Sequence, residues 1–127
     1  QFSSGNQQTM RSPAAFFYAD FDVSADAPDI EELKVTLNAF ASSRRVTQMI
    51  YAWDWNSNRW RFVRAAPSAT GSGSTDQEFK VSNAQRFISN TGAVRIGVRA
   101  LMPSASGAAG FRYTVDRLSL NARLLIR

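Results

Sequence analysis

The sequence predicts an all-β protein: an antiparallel β-sandwich of jelly-roll type, with about seven to eight strands and one short helical segment near 83–89. Three observations predict it. Apolar and polar residues alternate with period two over most of the chain, as in strands buried on one face. The alternating runs recur at regular spacing between clusters of Gly, Ser, Asn and Pro. The stretch Val46–Arg64 (VTQMIYAWDWNSNRWRFVR) reads as a β-hairpin, two aromatic-rich runs around the polar tetrad Asn56-Ser57-Asn58-Arg59.

Residues 1–12 read as a linker-like tail, and residues 13–127 as a single β-sandwich domain. The start at Gln1 fits either a processed mature chain or a piece of a longer one, and the linker-like QFSSGNQQTMRS favours the second. In the first strand Phe17, Ala19, Phe21 and Val23 point inward, and Tyr18, Asp20 and Asp22 form an acidic outer face. Asp26 to Asp29 is a turn. Ile30–Ser42 is the second strand, with Leu33, Val35, Leu37, Ala39 and Ala41 on one parity. With a four-residue loop at 56–59, the hairpin sets Trp55 opposite Trp60, Trp53 opposite Phe62 and Tyr51 opposite Arg64 on one face. Ile50, Ala52 and an Asp54–Arg61 pair take the other. The charged pair marks that second face as the wet one, so Trp53 and Phe62 are expected in the core.

The Gly/Ser-rich 65–76 segment is a loop, and Glu78–Ser82 a short strand. In the helical segment Asn83 is the expected N-cap, Gly92 the terminator, and Phe87 and Ile88 a plug for one end of the core. Val94, Ile96, Val98 and Ala100 point inward from the next strand, with Arg95, Gly97 and Arg99 outward. Residues 103–110 form a second loose loop. The last strand, 111–124, changes phase at Asp116-Arg117, the mark of a β-bulge.

Composition narrows the chemistry. The chain has no cysteine and no histidine, which removes disulfides, thiolate metal sites, histidine triads and the usual base near neutral pH. Asp54 and Asp116 fit no hydrolytic motif, and the expectation is a protein that is not an enzyme. The net charge of +5 is unevenly spread: six of the ten acids lie in residues 1–32, and nearly all the bases, mostly Arg, lie beyond. No apolar run approaches the ~20 residues of a spanning helix.

The hairpin string Tyr51-Ala52-Trp53-Asp54-Trp55-Asn56-Ser57-Asn58-Arg59-Trp60 resembles the YxWNWSTGxW hairpin of accessory β-sandwich modules in large secreted bacterial proteins. Asn83–Ile88 followed by Thr91–Arg99 resembles their NPARYI…TGxVRVRVR stretch, without the Pro after Asn83. Tyr113–Leu118 resembles their closing VDxVRx strand. These modules are similar in plan to carbohydrate-binding and discoidin-like sandwiches. The resemblance implies a non-catalytic, extracellular or cell-surface module, and carries over no binding residue.

Two functions follow as expectations. The first is a module that binds a polysaccharide or glycan surface, with Trp55 and Trp60 near the turn as stacking residues and Asn58 and Arg59 beside them. The second is a structural, self-assembling module of a surface layer, filament or multidomain secreted protein, joined to copies of itself through acidic and Arg-rich faces. Asp20, Asp22 and Asp26 form a candidate set for calcium, and otherwise no cofactor is expected. Outward Arg residues near Tyr and Trp could meet nucleic acid, but no nucleic-acid motif is present and the acidic strand interrupts the field.

Overall fold

Period-two alternation produces strands, and the strands form two stacked sheets. The computed structural model describes residues 2–3, 8–12, 14–23, 30–42, 46–70, 76–102 and 111–124. Among these are ten strands: β1 (Phe2–Ser3), β2 (Gln8–Ser12), β3 (Ala14–Asp22), β4 (Ile30–Ala41), β5 (Thr47–Asp54), β6 (Arg59–Pro67), β7 (Ala69–Thr70), β8 (Gln77–Val81), β9 (Ala93–Leu101) and β10 (Phe111–Leu124). The long pair β4–β10 centres the first sheet, flanked by β7 and β8 along β4 and by β1 and β2 along β10. The second sheet runs β3-β9-β5-β6. Every pairing is antiparallel except β4–β7. This is the jelly-roll-like sandwich that the alternation predicts.

The two inner faces meet in one apolar core. Leu33, Val35, Leu37, Phe79, Val81, Phe111, Tyr113, Val115, Leu118 and Leu120 come from the first sheet, and Phe17, Phe21, Ile50, Ala52, Val94, Ile96 and Val98 from the second. β10 supplies both parities because its register slips between Val115 and Arg117. The extra residue, Asp116, turns outward and returns Leu118 and Leu120 to the core. Phe87 and Ile88 close one end, as expected.

The helical segment is a single 3-10 turn, Ala84–Phe87. Asn83 stands at its start in the left-handed region (φ 58°) and makes no side-chain cap bond. The carbonyl of Asn83 accepts the amide of Arg86 instead. Gly92 (φ 83°) does not end a helix but turns the chain into β9. Ser89 braces that turn, its hydroxyl accepting the amides of Thr91 and Ala93. Residues 2–3 and 8–12, within the stretch read as a linker-like tail, are strands paired along β10. They occupy a backbone edge that would otherwise stand open. Residues 65–70, read as loop, extend β6 and form β7. The turn at 26–29 and the loops at 71–75 and 103–110 lie outside the described residues.

The hairpin is where the fold departs from the sequence reading. The loop is 55–58, one residue earlier than expected, so Trp53 faces Trp60, Tyr51 faces Phe62 and Asp54 faces Arg59. Val46, Gln48, Ile50, Ala52 and Asp54 point into the core, and the aromatic residues point out. Phe62 is 59% exposed and Trp53 only half-buried, so neither is a core residue. The polar residues that marked the inner face as wet are buried with specific partners. The Tyr113 hydroxyl of β10 donates to Gln48 Oε1 of β5 across the two sheets at 2.7 Å. Gln48 Nε2 donates to Gln77 Oε1 at 2.6 Å. Burial pushes the Tyr113 phenol far above its ordinary range, so it stays a donor.

This packing sets the cost of three substitutions. Tyr113→Phe leaves a buried Gln48 oxygen without its donor and should destabilise the protein by about 1–3 kcal/mol in chemical denaturation. Ile50→Ala should cost about 2–5 kcal/mol. Trp53→Ala should cost only about 1–2 kcal/mol, the worth of ring contacts at a surface. Thermal melts of the pair that ranked Trp53→Ala as the worse lesion would put the hairpin the other way round.

Candidate functional site

The outer face of the second sheet collects residues from four strands. Register sets Tyr18, Gly97, Tyr51 and Phe62 in one row across β3, β9, β5 and β6. Phe16, Arg99 and Met49 form the row on one side, and Asp20 and Arg95 begin the row on the other. Phe16 is 43% exposed and Tyr18 51%, far more than aromatics normally are inside a fold. Trp60 is the hub: its ring lies 5.3 Å from Phe16, 6.0 Å from Tyr18 and 5.2 Å from Trp53, each tilted toward edge-to-face. Tyr51 and Phe62 stack edge-to-face at 5.8 Å.

Gly97 is the floor under this cluster. A Cβ there would sit 2.7 Å from Phe16 Cζ and 3.1 Å from Trp60 Cη2. Only a glycine lets the two rings lie over the middle of the sheet. Arg95 tethers the other end of the face. Its Nε donates to Asp20 Oδ1 at 2.7 Å and its Nη2 to Asp20 Oδ2 at 3.2 Å, and this bonding to Asp20 raises its pKa. The guanidinium so held lies 5.1 Å from the Tyr18 ring centre, 5.8 Å from Trp53 and 5.3 Å from Trp55. An open pocket of about 260 Å³ lies between Phe16, Tyr51, Trp60 and Arg99. Chemically, the face offers flat apolar rings beside arginine donors.

The residues singled out in the sequence divide. Trp60 is at the centre of the face. Trp55 joins it at the turn end through Arg95, with its Nε1 donating to the Phe87 carbonyl at 3.2 Å. Asn58 holds a left-handed turn position (φ 54°). Arg59 stands opposite Asp54 in the strand register, on the parity opposite to Trp60. The structure therefore brings neither Asn58 nor Arg59 onto the aromatic face. Phe16, Tyr18, Tyr51, Trp53, Phe62, Gly97 and Arg99 also lie on this face and are not among the ligand residues expected from the sequence. Their signal was the aromatic pair at alternate outward positions 16 and 18, and the small residue between two outward arginines. In the calcium set, Asp20 gives both oxygens to Arg95, Asp22 is exposed, and Asp26 lies outside the described residues.

The turn that presents Trp55 and Trp60 is closed by Asp54, only 1% exposed. Its Oδ1 accepts the amides of Asn56 at 3.0 Å and Ser57 at 3.2 Å. Its Oδ2 accepts Arg61 Nε and pairs with Arg86 Nε, each at 3.1 Å. Burial pulls the Asp54 pKa upward, but the bonds from Ser57, Arg61 and Asn56 outweigh it and hold the carboxyl below its ordinary 3.8.

No protein-family profile matches the sequence, and no curated protein matches it. Solved structures share its fold. TmCBM61 in complex with β-1,4-galactotriose superposes with a TM-score of 0.56 at 14% identity, over 91% of this chain and 69% of that one. The xylan-binding module CBM15 gives 0.55 at 13% identity, over 93% and 78%. A mutant Xylanase10C from Cellvibrio japonicus, in complex with xylopentaose, gives 0.56 at 11%, over 90% of this chain and 22% of that one. At such identities the likeness shows the fold, a β-sandwich of the kind found in carbohydrate-binding modules.

The Asp54 node generates a pH prediction. A carboxyl whose folded pKa lies below its unfolded value adds stability that is whole above about pH 4 and is lost as pH falls through the lower folded value. Wild-type melting temperature should therefore drop more steeply below about pH 4 than that of Asp54→Asn, which has nothing to protonate there. Parallel pH curves for the two proteins would contradict the assignment.

Proposed function

We propose that the chain is a non-catalytic module that binds a polysaccharide or glycan on the outer face of its second sheet. It would work outside the cell or at its surface, as an accessory part of a larger secreted bacterial protein. One observation carries the reading. Phe16, Tyr18, Tyr51, Trp53, Trp60 and Phe62, which a fold ordinarily buries, are gathered on one exposed or half-exposed face. Flat rings pack on the apolar C–H faces of pyranoses, and neighbouring Arg99 can donate to their oxygens. The sandwich neighbours named with galactotriose, xylan or xylopentaose support a saccharide as the ligand class.

Self-assembly is the other reading. Its warrant is charge segregation, an acidic stretch near residues 20–32 set against an Arg-rich remainder. In the folded chain Asp20 pairs with Arg95, and Glu31 and Glu32 pair with Arg123. Less free charge remains for a head-to-tail contact, so the glycan reading is preferred.

Titration with galactan, xylan and other oligosaccharides by calorimetry tests it. At least one should bind, and Trp60→Ala should weaken it about tenfold or more, as removal of a central ring does. Arg59→Ala should leave the affinity unchanged. An array-wide failure to bind, or a Trp60→Ala protein that binds like wild type, would refute the reading.

A further inference from the structure

A second feature lies beside the aromatic face, at the side of the sandwich where β6 of one sheet meets β8 of the other. An open cleft of about 330 Å³ sits there, lined by Arg61, Phe62, Arg64, Lys80, Asn83 and Arg86 among others. We propose that this cleft binds the sulfate or carboxylate groups of an acidic glycan whose chain continues from the aromatic face. The ligand class rests on the glycan reading above, and the experiment below separates the two.

The cleft owes its charge to a register shift. Between Ile50 and Tyr51 of β5, the facing strand β6 carries one extra residue. Arg61 faces Ala52 and Arg64 faces Ile50, so both arginines fall on the parity of the core face although three positions apart. At the rim of the sandwich that parity opens into the cleft. Lys80 reaches it from β8, and Arg86 from the 3-10 turn.

The cations are unevenly satisfied. Arg61 and Arg86 share the single carboxylate of Asp54, each through Nε at 3.1 Å. Their guanidinium groups are thus held in place on side chains that remain 31% and 49% exposed, so they can donate with little further loss of freedom. Arg64 and Lys80 have no acidic partner among the described residues. Four cations thus face one buried carboxylate, which suits an anion in the space between them.

Phe62 links the two sites. It lines the cleft and also stacks on Tyr51 of the aromatic face. A chain lying across the rings would leave the sheet over Phe62 and enter the cleft. The charge pattern selects a glycan over a nucleic acid. Single-stranded nucleic acid carries a phosphate at every step and asks for cations along its whole path. Here the middle of the face is rings and Gly97, and Arg95 is already neutralised by Asp20. Apart from Arg99 beside the rings, the cations of this side gather at the cleft edge, which matches acidic groups carried at intervals on an otherwise neutral polymer.

The test uses the full chain at low salt with four probes: an oligogalacturonate, a heparin-derived oligosaccharide, a neutral galactan oligosaccharide and a single-stranded DNA oligomer. The Arg64→Gln/Lys80→Gln double variant changes the cleft and spares the arginines that hold Asp54; Trp60→Ala changes the face. The proposal expects the double variant to bind at least one acidic oligosaccharide about tenfold more weakly, with a flatter salt dependence, and neutral binding unchanged. The better of the two acidic probes tells carboxylate from sulfate. Loss of neutral binding only in Trp60→Ala supports both sites. Loss of acidic binding in the double variant, with Trp60→Ala harmless, would refute the face and keep the cleft. Failure of both acidic probes to bind, equal acidic affinity in the double variant and wild type, or tighter binding of the DNA through the same residues would overturn the proposal.

Discussion

The buried carboxylate of Asp54 decides which way the hairpin faces. A carboxylate out of water is costly unless its oxygens are filled, and here two backbone amides and two arginines fill them. Those four donors can be assembled only when the turn starts at Trp55 and Asp54 points inward. Period two then sends Trp53 and Tyr51 outward, with Trp60 and Phe62 opposite them. At the other end of β5, Gln48 anchors the same parity through Tyr113 and Gln77. Two polar residues thus fix an inner face whose apolar members, Ile50 and Ala52, are few. The same carboxylate holds Arg61 and Arg86 at the side cleft, so the aromatic face and the cleft share one support.

Much of the fold was legible because alternation is a strong signal when one face is dry. The inward sets of β3, β4 and β9 were read residue by residue, and so was the phase change at Asp116 in β10, since a slipped parity has few other causes. The hairpin was misread for a definite reason. Polar ends on an inner face look like a wet face until their partners are known, and Tyr113, Gln77, Arg86 and the turn amides come from distant or non-side-chain groups. The loop position was a separate misreading. Asn56–Arg59 is a fair loop by composition, but the Asx-type bonds of Asp54 start it one residue sooner. The strands at 2–3 and 8–12 were not legible either, because they hold an edge by backbone pairing that leaves little mark in composition.

The site was legible only in part, for topological reasons. Trp55 and Trp60 were visible as a pair near a turn. Phe16 and Tyr18 lie far away in sequence and reach Trp60 only because β3 and β5 flank β9. Gly97 gains its meaning from the rings above it, which no local pattern reveals. Asn58 and Arg59 were chosen by nearness in sequence, and strand parity separates them from the rings. The fold likeness to carbohydrate-binding modules fits this picture at the level of architecture.

The central claim is that the aromatic face is outside and the Gln48–Asp54 face is inside. Hydroxyl-radical footprinting of the free protein, read by mass spectrometry, tests it most directly. The account predicts rapid oxidation of Phe16, Tyr18 and Phe62, intermediate oxidation of Trp53 and Trp60, and protection of Ile50, Phe111 and Tyr113. Protection of Trp53 and Phe62 together with oxidation of Ile50 would contradict it.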